Sequence, residues 1–438
     1  MVNYLNILFD LNKVLNEQRT YNKQSRHAVT MECDKSNHQQ QEGQVGQVGQ
    51  QPQPDTESTE FLVWEDLDEL DTQLLRGIYA YNFEKPSHIQ QKSILPILRG
   101  RDVIAQAQSG TGKTGAFGVA TLQRIDANAK KDVQALILAP TRELAKQIKD
   151  VVTGLGGQMP NLKVQLLIGG TSTDEDAKLL KSEMPQIVVG CPGRVYDMIR
   201  RKHINAKQIK LLVLDEADEM LSAGFKDQIY NVFQYLHNDV QVCLFSATMP
   251  PELHSLTEKF MRNPMKILVQ AEQLTLEGIC QHYIALDDDD TKFATLQDLY
   301  KTIAMSQSII YCNSVKRVSD LTEAMVLKGY PACCIHSGMD KVARDDAYAN
   351  FKLGKYRVLI SSDVTARGID IQQVSIVINF DLPRSVHTYL HRIGRSGRWG
   401  RKGTGISFIT SRDSKQLKEI ETFYGTVVTE LPSTFKTE

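Results

Sequence analysis

The chain has no apolar stretch approaching the roughly 20 residues needed to cross a bilayer as a helix, so a membrane span is not expected. Net charge is also nearly absent. The 51 Lys and Arg face 52 Asp and Glu, leaving −1, so any grip on a polyanion has to come from local patches rather than a bulk field. No C-x-x-C pair occurs among Cys33, Cys191, Cys243, Cys280, Cys312, Cys333 and Cys334. The vicinal Cys333-Cys334 pair suits neither a zinc site nor an easy disulfide, and this usage points to a reducing, intracellular compartment. A secretory leader is not expected, because Met1 to Leu15 has no basic start and Asp10 interrupts its apolar run. Val2, Leu5, Leu8, Phe9 and Leu15 can share one face of a short amphipathic helix for a partner. An unstructured extension is the preferred reading, because the segment adjoining it is strongly polar.

Residues 16–60 are polar and of low complexity, with His38-Gln39-Gln40-Gln41, a Gly-Gln-Val repeat at 43–48 and Gln-Pro-Gln-Pro at 51–54. Such sequence lacks the apolar content to build a core, so residues 1–60 are expected to be a mostly disordered extension. From Phe61 short apolar runs alternate with helical patterns. They include Val103 to Ala105, Ala135 to Ala139, Val164 to Ile168, Ile187 to Val189, Leu211 to Leu214 and Val240 to Phe245. The rhythm pauses at 270–278 and resumes with His282 to Leu286, Ile309 to Cys312, Ala332 to Ile335, Val358 to Ser361, Ile376 to Ile378 and Ile406 to Ile409. Strands alternating with helices predict parallel sheets covered on both faces. The expected layout is two α/β domains, 61–269 and 279–438, joined by a linker at 270–278, each of ordinary domain size.

Two motifs carry chemistry. Leu211 to Leu214 reads as a buried strand that delivers Asp215-Glu216-Ala217-Asp218. Three carboxylates this close repel and favour protonation unless a cation neutralises them, and Mg²⁺ with oxygen ligands is the fitting one. The plain alternative is a solvated strand-to-helix turn with Asp218 and Glu219 as favourable helix-start charges. The second motif is Ala107-Gln108-Ser109-Gly110-Thr111-Gly112-Lys113-Thr114, between an apolar strand and a helix-compatible run. Gly110 and Gly112 let successive N–H groups point at phosphate oxygens, Lys113 reaches the terminal phosphates and the Thr114 hydroxyl ligates Mg²⁺. The strict phosphate-loop pattern opens with Gly, where this chain has Ala107. Together the motifs predict phosphoryl transfer from a nucleotide to water, with Asp215 holding the metal and Glu216 acting on the water.

An ordered set of further motifs surrounds these two. They are Phe83 to Gln90, Pro140-Thr141-Arg142-Glu143-Leu144-Ala145, Gly169-Gly170, Pro192-Gly193-Arg194, Ser246-Ala247-Thr248, Ala366-Arg367-Gly368-Ile369-Asp370 and His391-Arg392-Ile393-Gly394-Arg395-Ser396-Gly397-Arg398. From Trp64 to Pro432 the chain resembles the DEAD-box ATP-dependent RNA helicases. Stretches such as Leu274 to Ile279 and Phe380 to Pro383 lean toward the translation-initiation branch, with the exon-junction branch as competitor. The resemblance implies two tandem RecA-like parallel-sheet domains.

By that resemblance, Phe83 and Gln90 recognise adenine, Ser109, Gly110, Thr111, Gly112, Lys113 and Thr114 hold the phosphates and Asp370 touches the ribose. Lys113, Asp215, Glu216, His391, Arg395 and Arg398 carry the reaction, the two arginines as fingers on the transferring phosphoryl group. Thr114 and Asp215 hold Mg²⁺. Thr141, Arg142, Gly170, Arg194, Arg344 and Ser362 contact the RNA backbone, and Asp218, Ser246 and Thr248 couple the domains. The family usually has Gly where this chain has Asn82, Thr at Cys191 and Gln at Lys341.

The expected activity is RNA-stimulated ATP hydrolysis coupled to local duplex unwinding. Its partners would be sequence-nonspecific single-stranded or locally duplexed RNA and a translation-initiation scaffold protein, with the chain monomeric and cytoplasmic. The alternatives are an ATP-gated RNA clamp in an exon-junction-like or ribosome-assembly complex, which would be nuclear in the first case, and a catalytically dead homologue. Intact Lys113, Glu216, Arg395 and Arg398 speak against the last.

Overall fold

The computed structural model describes residues 61–107, 110–129, 132–222, 224–267, 279–302, 307–365, 374–396 and 403–432, leaving aside the side chains of Ser222 and Thr302. The expectations for the extension at 1–60 and the linker at 270–278, and the roles given to Ser109, Asp370 and Arg398, lie outside these residues. Among the described residues no helix is long and apolar enough to cross a membrane.

The strands form two parallel sheets. The first contains β1 (Val103–Gln106), β2 (Ala135–Leu138), β3 (Val164–Leu167), β4 (Ile187–Gly190), β5 (Leu211–Asp215), β6 (Gln241–Ser246) and β7 (Met265–Ile267), in the order β3-β4-β2-β5-β6-β1-β7. The second contains β8 (Ile279–Ala285), β9 (Ser308–Tyr311), β10 (Ala332–Ile335), β11 (Val358–Ser361), β12 (Ile376–Asn379), β13 (Gly403–Ile409) and β14 (Thr429–Glu430), in the order β10-β11-β9-β12-β13-β8-β14. Renumbered from its own first strand, the second order is the same as the first. One topology occurs twice in the chain.

The continuous apolar runs follow from burial on both faces. In β5, Leu211 and Val213 enter one core while Leu212 and Leu214 enter the other. The same alternation sends Ile309 and Tyr311 one way and Ile310 the other in the second domain. It also parts Cys333 from Cys334, which pack on opposite faces of β10, in keeping with a vicinal pair that does not bridge. The edge strands β7 and β14 fall outside the apolar runs. Met265-Lys266-Ile267 and Thr429-Glu430 are too short and too polar to carry the pattern.

Because all strands are parallel, their C-terminal ends form one rim per sheet, where ligands of open α/β sheets bind. Arg392 ties together the loops of the second rim. Its guanidinium donates to Asp363 Oδ1 after β11 (2.6 Å), to the Asp381 carbonyl after β12 (2.8 Å) and to Asn313 Oδ1 after β9 (2.7 Å). The side chain is fully buried, so truncation would leave polar groups without partners. Arg392→Ala is expected to destabilise the second domain by about 3 kcal/mol or more, read from a urea denaturation curve. A midpoint within error of the parent would remove Arg392 from this role.

Candidate active site and nucleic-acid face

Three neighbouring strands, β1, β6 and β5, end at the phosphate loop, at Ser246-Ala247-Thr248 and at Asp215-Glu216. Register places Gln106 beside Ser246 and Phe245 beside Asp215, so the three motifs stand side by side. Gly110 and Gly112 both have positive φ, as a loop curling toward phosphate requires. Lys113 opens the helix Lys113–Arg124, is 6% exposed, and sets its Nζ 3.3 Å from Glu216 Oε1. Thr114 follows it in the first turn.

Phe83 and Gln90 are brought against this loop. Gln90 Oε1 accepts from the Ser87 N–H at 2.7 Å and its Nε2 donates to the Gly112 carbonyl at 3.1 Å. An amide has two hydrogens and two acceptor lone pairs, so a donor and an acceptor remain, the complement an adenine edge presents. Trp64, fully buried, donates its indole N–H to the Phe83 carbonyl at 2.9 Å and fixes the approach of that segment. Asn82 has φ 61°, which explains why this position tolerates Asn in place of Gly and few other residues. A Cβ at Gly115 would lie 2.5 Å from Gln90 Nε2 and 2.6 Å from Phe83 Cε2.

Asp215, Glu216 and Asp218 are all buried, at 2–3% exposure. Asp215 Oδ1 accepts from the Glu216 N–H at 3.0 Å. Burial, with the Glu216 charge second, pushes its carboxyl up to about 7 against the opposing pull of Lys113. The local protein charge therefore under-neutralises the carboxylates, and a cation is the natural complement. Thr114 and Asp215 offer oxygen only, the donor chemistry Mg²⁺ takes. Asp218 Oδ2 accepts from Thr248 Oγ1 at 2.6 Å and lies 3.4 Å from His391 Nε2, on the helix Val386–Ile393 of the second domain. Asp218 does stand in the first turn of the helix Ala217–Ser222, as a plain helix start would have it, but it is not solvated. Arg395 is buried, and its Nε donates to the His391 carbonyl at 3.1 Å. Ser246 Oγ has no hydrogen-bond partner among the described residues.

The other half of the first rim, the ends of β2, β4 and β3, gathers Thr141, Arg142, Gly170 and Arg194. Thr141 Oγ1 caps the helix Arg142–Leu155 by accepting from Leu144 N–H at 3.3 Å. The Arg142 guanidinium lies against the Gly169-Gly170 turn, where a Cβ on Gly170 would meet its Nη1 at 2.9 Å. Arg194 donates to the Asp176 carboxylate, and to the Thr171 hydroxyl and carbonyl at 2.8 Å each. Arg344, expected to contact RNA, pairs with Glu143 of the first domain. It is buried, and its Nη2 donates to Glu143 Oε2 at 2.8 Å while its Nε lies 2.5 Å from Oε1, an ion pair from the second domain to the first. Ser362 accepts from Ser361 Oγ through its carbonyl at 2.9 Å, a contact within the second domain. Asn313, at the end of β9, is held by Arg392 and donates to the Leu382 carbonyl. Sequence reasoning missed Glu143 as an interdomain anchor. It stands inside the Pro140 to Ala145 motif, but only the fold shows what faces it. Cys191, at the start of the helix Pro192–Arg200, is buried beside Glu143, and burial pushes its thiol up to about 12.

A model of the DEAD/DEAH box helicase family matches residues 87–256, and one of the helicase conserved C-terminal domain matches 291–400. The ATP-dependent RNA helicase eIF4A of Pyricularia oryzae is 52% identical over 363 residues, 83% of this chain and 91% of that protein. This chain is a DEAD-box ATP-dependent RNA helicase. Eukaryotic initiation factor 4A of Caenorhabditis elegans is 53% identical over 364 residues, covering 83% of the helicase and 90% of that protein. Among solved structures, S. cerevisiae Dbp5 bound to RNA and ADP BeF3 is similar at 36% identity and a TM-score of 0.78, over 86% of this chain and 96% of that one. Mss116p bound to ssRNA and AMP-PNP is similar at 27% identity and a TM-score of 0.77, over 86% and 81%. The repeated sheet order is thus a tandem pair of RecA-like domains, and the enzyme uses ATP.

The close packing at Gly115 generates a test. Gly115→Ala in the helicase is expected to displace Gln90 and Phe83 and raise KM for ATP about tenfold, equivalent to about 1.4 kcal/mol. Steady-state ATPase measurement decides it, and an unchanged KM would separate these two side chains from nucleotide binding.

Proposed function

We propose that the helicase couples RNA-stimulated ATP hydrolysis to local strand separation by closing its two domains over both ligands. The observation that carries this reading is Asp218. One carboxylate receives Thr248 of its own domain and faces His391 of the other, so the ATP rim is joined to the second domain through the Asp-Glu-Ala-Asp segment itself. A second contact, Glu143–Arg344, joins the other half of the rim, next to Arg142 and Thr141. Closure is thereby tied to the nucleotide half and to the polyanion half of the same sheet.

Gln90 and Phe83 bind and orient adenine. The phosphate loop and Lys113 cradle the phosphates. Thr114 and Asp215 would hold Mg²⁺, which would offset the charge of the phosphates. Glu216 orients a water and accepts its proton as the water oxygen bonds to the γ-phosphorus. The bond to the β-phosphate oxygen breaks, giving ADP and phosphate. Arg395, and Arg398 three positions on in the sequence, stabilise charge on the transferring group once closure delivers them. Thr141, Arg142, Gly170 and Arg194 read phosphates and ribose, which carry no sequence code, so binding is sequence-nonspecific. Arg344 serves RNA indirectly, by holding Glu143 beside Arg142, and Ser362 completes the second domain's side.

The likeness to initiation factor 4A supports a role in translation initiation, with a scaffold protein as partner, in the cytoplasm and as a monomer. It favours this over the exon-junction clamp.

Two experiments test the coupling. Arg395→Ala is expected to lower RNA-stimulated turnover by about 10³-fold or more while ATP still binds; intact stimulation would sink the closure model. Glu143→Arg and Arg344→Glu are each expected to lower RNA-stimulated kcat/KM at least tenfold, about 1.4 kcal/mol, with the double exchange recovering part of the loss. Additive losses in the double variant would show that the ion pair does not couple the domains.

A further inference from the structure

The junction between Asp218 and His391 has a property that ATP chemistry does not use. Glu216, Asp218 and His391 are each 2% exposed, and one ligand-type atom from each lies within 4.8 Å of the others. Two are carboxylates of the first domain. The third is an imidazole delivered by a separate domain, so this is more than a crowd of acids. Around a tetrahedral ion with bonds of 2.0–2.1 Å, neighbouring ligand atoms stand about 3.3 Å apart. His391 Nε2 and Asp218 Oδ2 are already at 3.4 Å. Further polar contacts on these groups include Lys113 Nζ on Glu216 Oε1 at 3.3 Å and Thr248 Oγ1 on Asp218 Oδ2 at 2.6 Å.

We propose that Glu216, Asp218 and His391 form an inhibitory site for a borderline transition-metal ion such as Zn²⁺, which staples the two domains together. The proposal rests on the closed apposition of Asp218 and His391 that also underlies the proposed function. One imidazole nitrogen and two carboxylate oxygens suit Zn²⁺ or Co²⁺, and a fourth position stays open to water. Mg²⁺ prefers oxygen ligands and is a poor occupant of a site with imidazole. The ion draws a ligand from each domain, so it binds the closed form and, by linkage, favours closure. Bound there, it takes Glu216 away from the attacking water and holds the helicase shut against turnover.

The test uses the full chain without nucleotide and Co²⁺ as the probe, read by the visible absorption of four-coordinate cobalt. One equivalent is expected to produce the band, Zn²⁺ to abolish it by displacement, and excess Mg²⁺ to leave it. His391→Gln and the nearly isosteric Asp218→Asn should each weaken cobalt binding at least tenfold, with thermal unfolding confirming that the variants fold. A fluorophore pair, one on each domain, should report closure when Zn²⁺ is added. Absence of the band, an undiminished band in both variants, displacement by Mg²⁺, or a fluorophore distance unmoved by Zn²⁺ would overturn the proposal. RNA-stimulated ATPase of the untreated protein is measured in parallel. Its absence would count against the proposed function and leave the cobalt result to stand or fall by itself.

Discussion

The structure depends on a charge imbalance at the end of one buried strand. β5 carries Asp215, Glu216 and Asp218 into a site that is almost dry, and a group of like charges in low dielectric is unstable unless something opposes it. Each carboxylate meets the problem differently. Glu216 takes Lys113 from the phosphate loop. Asp218 takes a hydroxyl from Thr248 and an imidazole from the second domain. Asp215, which accepts from the Glu216 N–H and is shifted toward protonation, is the one best left for a metal. Glu216 also has φ 51°, a left-handed conformation unusual for a non-glycine residue. The backbone turn that aims these groups at one another is itself held against its preference.

Strand order converts this local arrangement into a division of labour. In β3-β4-β2-β5-β6-β1, the ends of β5, β6 and β1 bear the nucleotide motifs, and the ends of β3, β4 and β2 bear Gly170, Arg194, Thr141 and Arg142. β2 and β5 are neighbours in the middle. Two interdomain contacts leave from the segments after these two strands, Glu143 beyond β2 and Asp218 beyond β5. A second domain that touches both cannot shift against one half of the rim without disturbing the other. This is a geometric route for coupling two ligands, and it needs no deformation of the sheet.

Most of the architecture was legible because parallel strands buried on both faces appear as unbroken apolar runs. Leu211 to Leu214 and Ala135 to Leu138 could hardly be anything else. The loop of Gly110, Gly112, Lys113 and Thr114 was legible as a strand, a glycine turn and a helix start, and both glycines do take positive φ. What could not be read were pairings between distant residues. Arg344 and Glu143 are 201 positions apart, and nothing in either neighbourhood says that one covers the other. The run of basic residues around 384–402 likewise hid opposite roles. Arg392 is a brace among the loops of its own domain, while Arg395 is buried and donates to the His391 carbonyl. Identical side chains three residues apart differ here because one faces the second domain's loops and the other its helix end.

The Glu143–Arg344 pair also constrains how strongly the domains hold each other. Burying both ions forfeits their hydration, and the attraction between them, through one hydrogen bond and a second close N–O contact, returns an amount of similar size. Such a pair contributes little net stability to closure, but it heavily penalises any closure in which the two groups miss each other. The same holds for Asp218 and His391, where a buried carboxylate is matched only if the imidazole arrives. Closure is therefore selective in register and weak in overall drive. A protein in that condition is moved between states by ligands whose preference for the closed form is only a few kcal/mol. Under the proposed function, ATP and a polyanion would each engage one half of the rim and supply that preference together, so that loss of either would let the domains part.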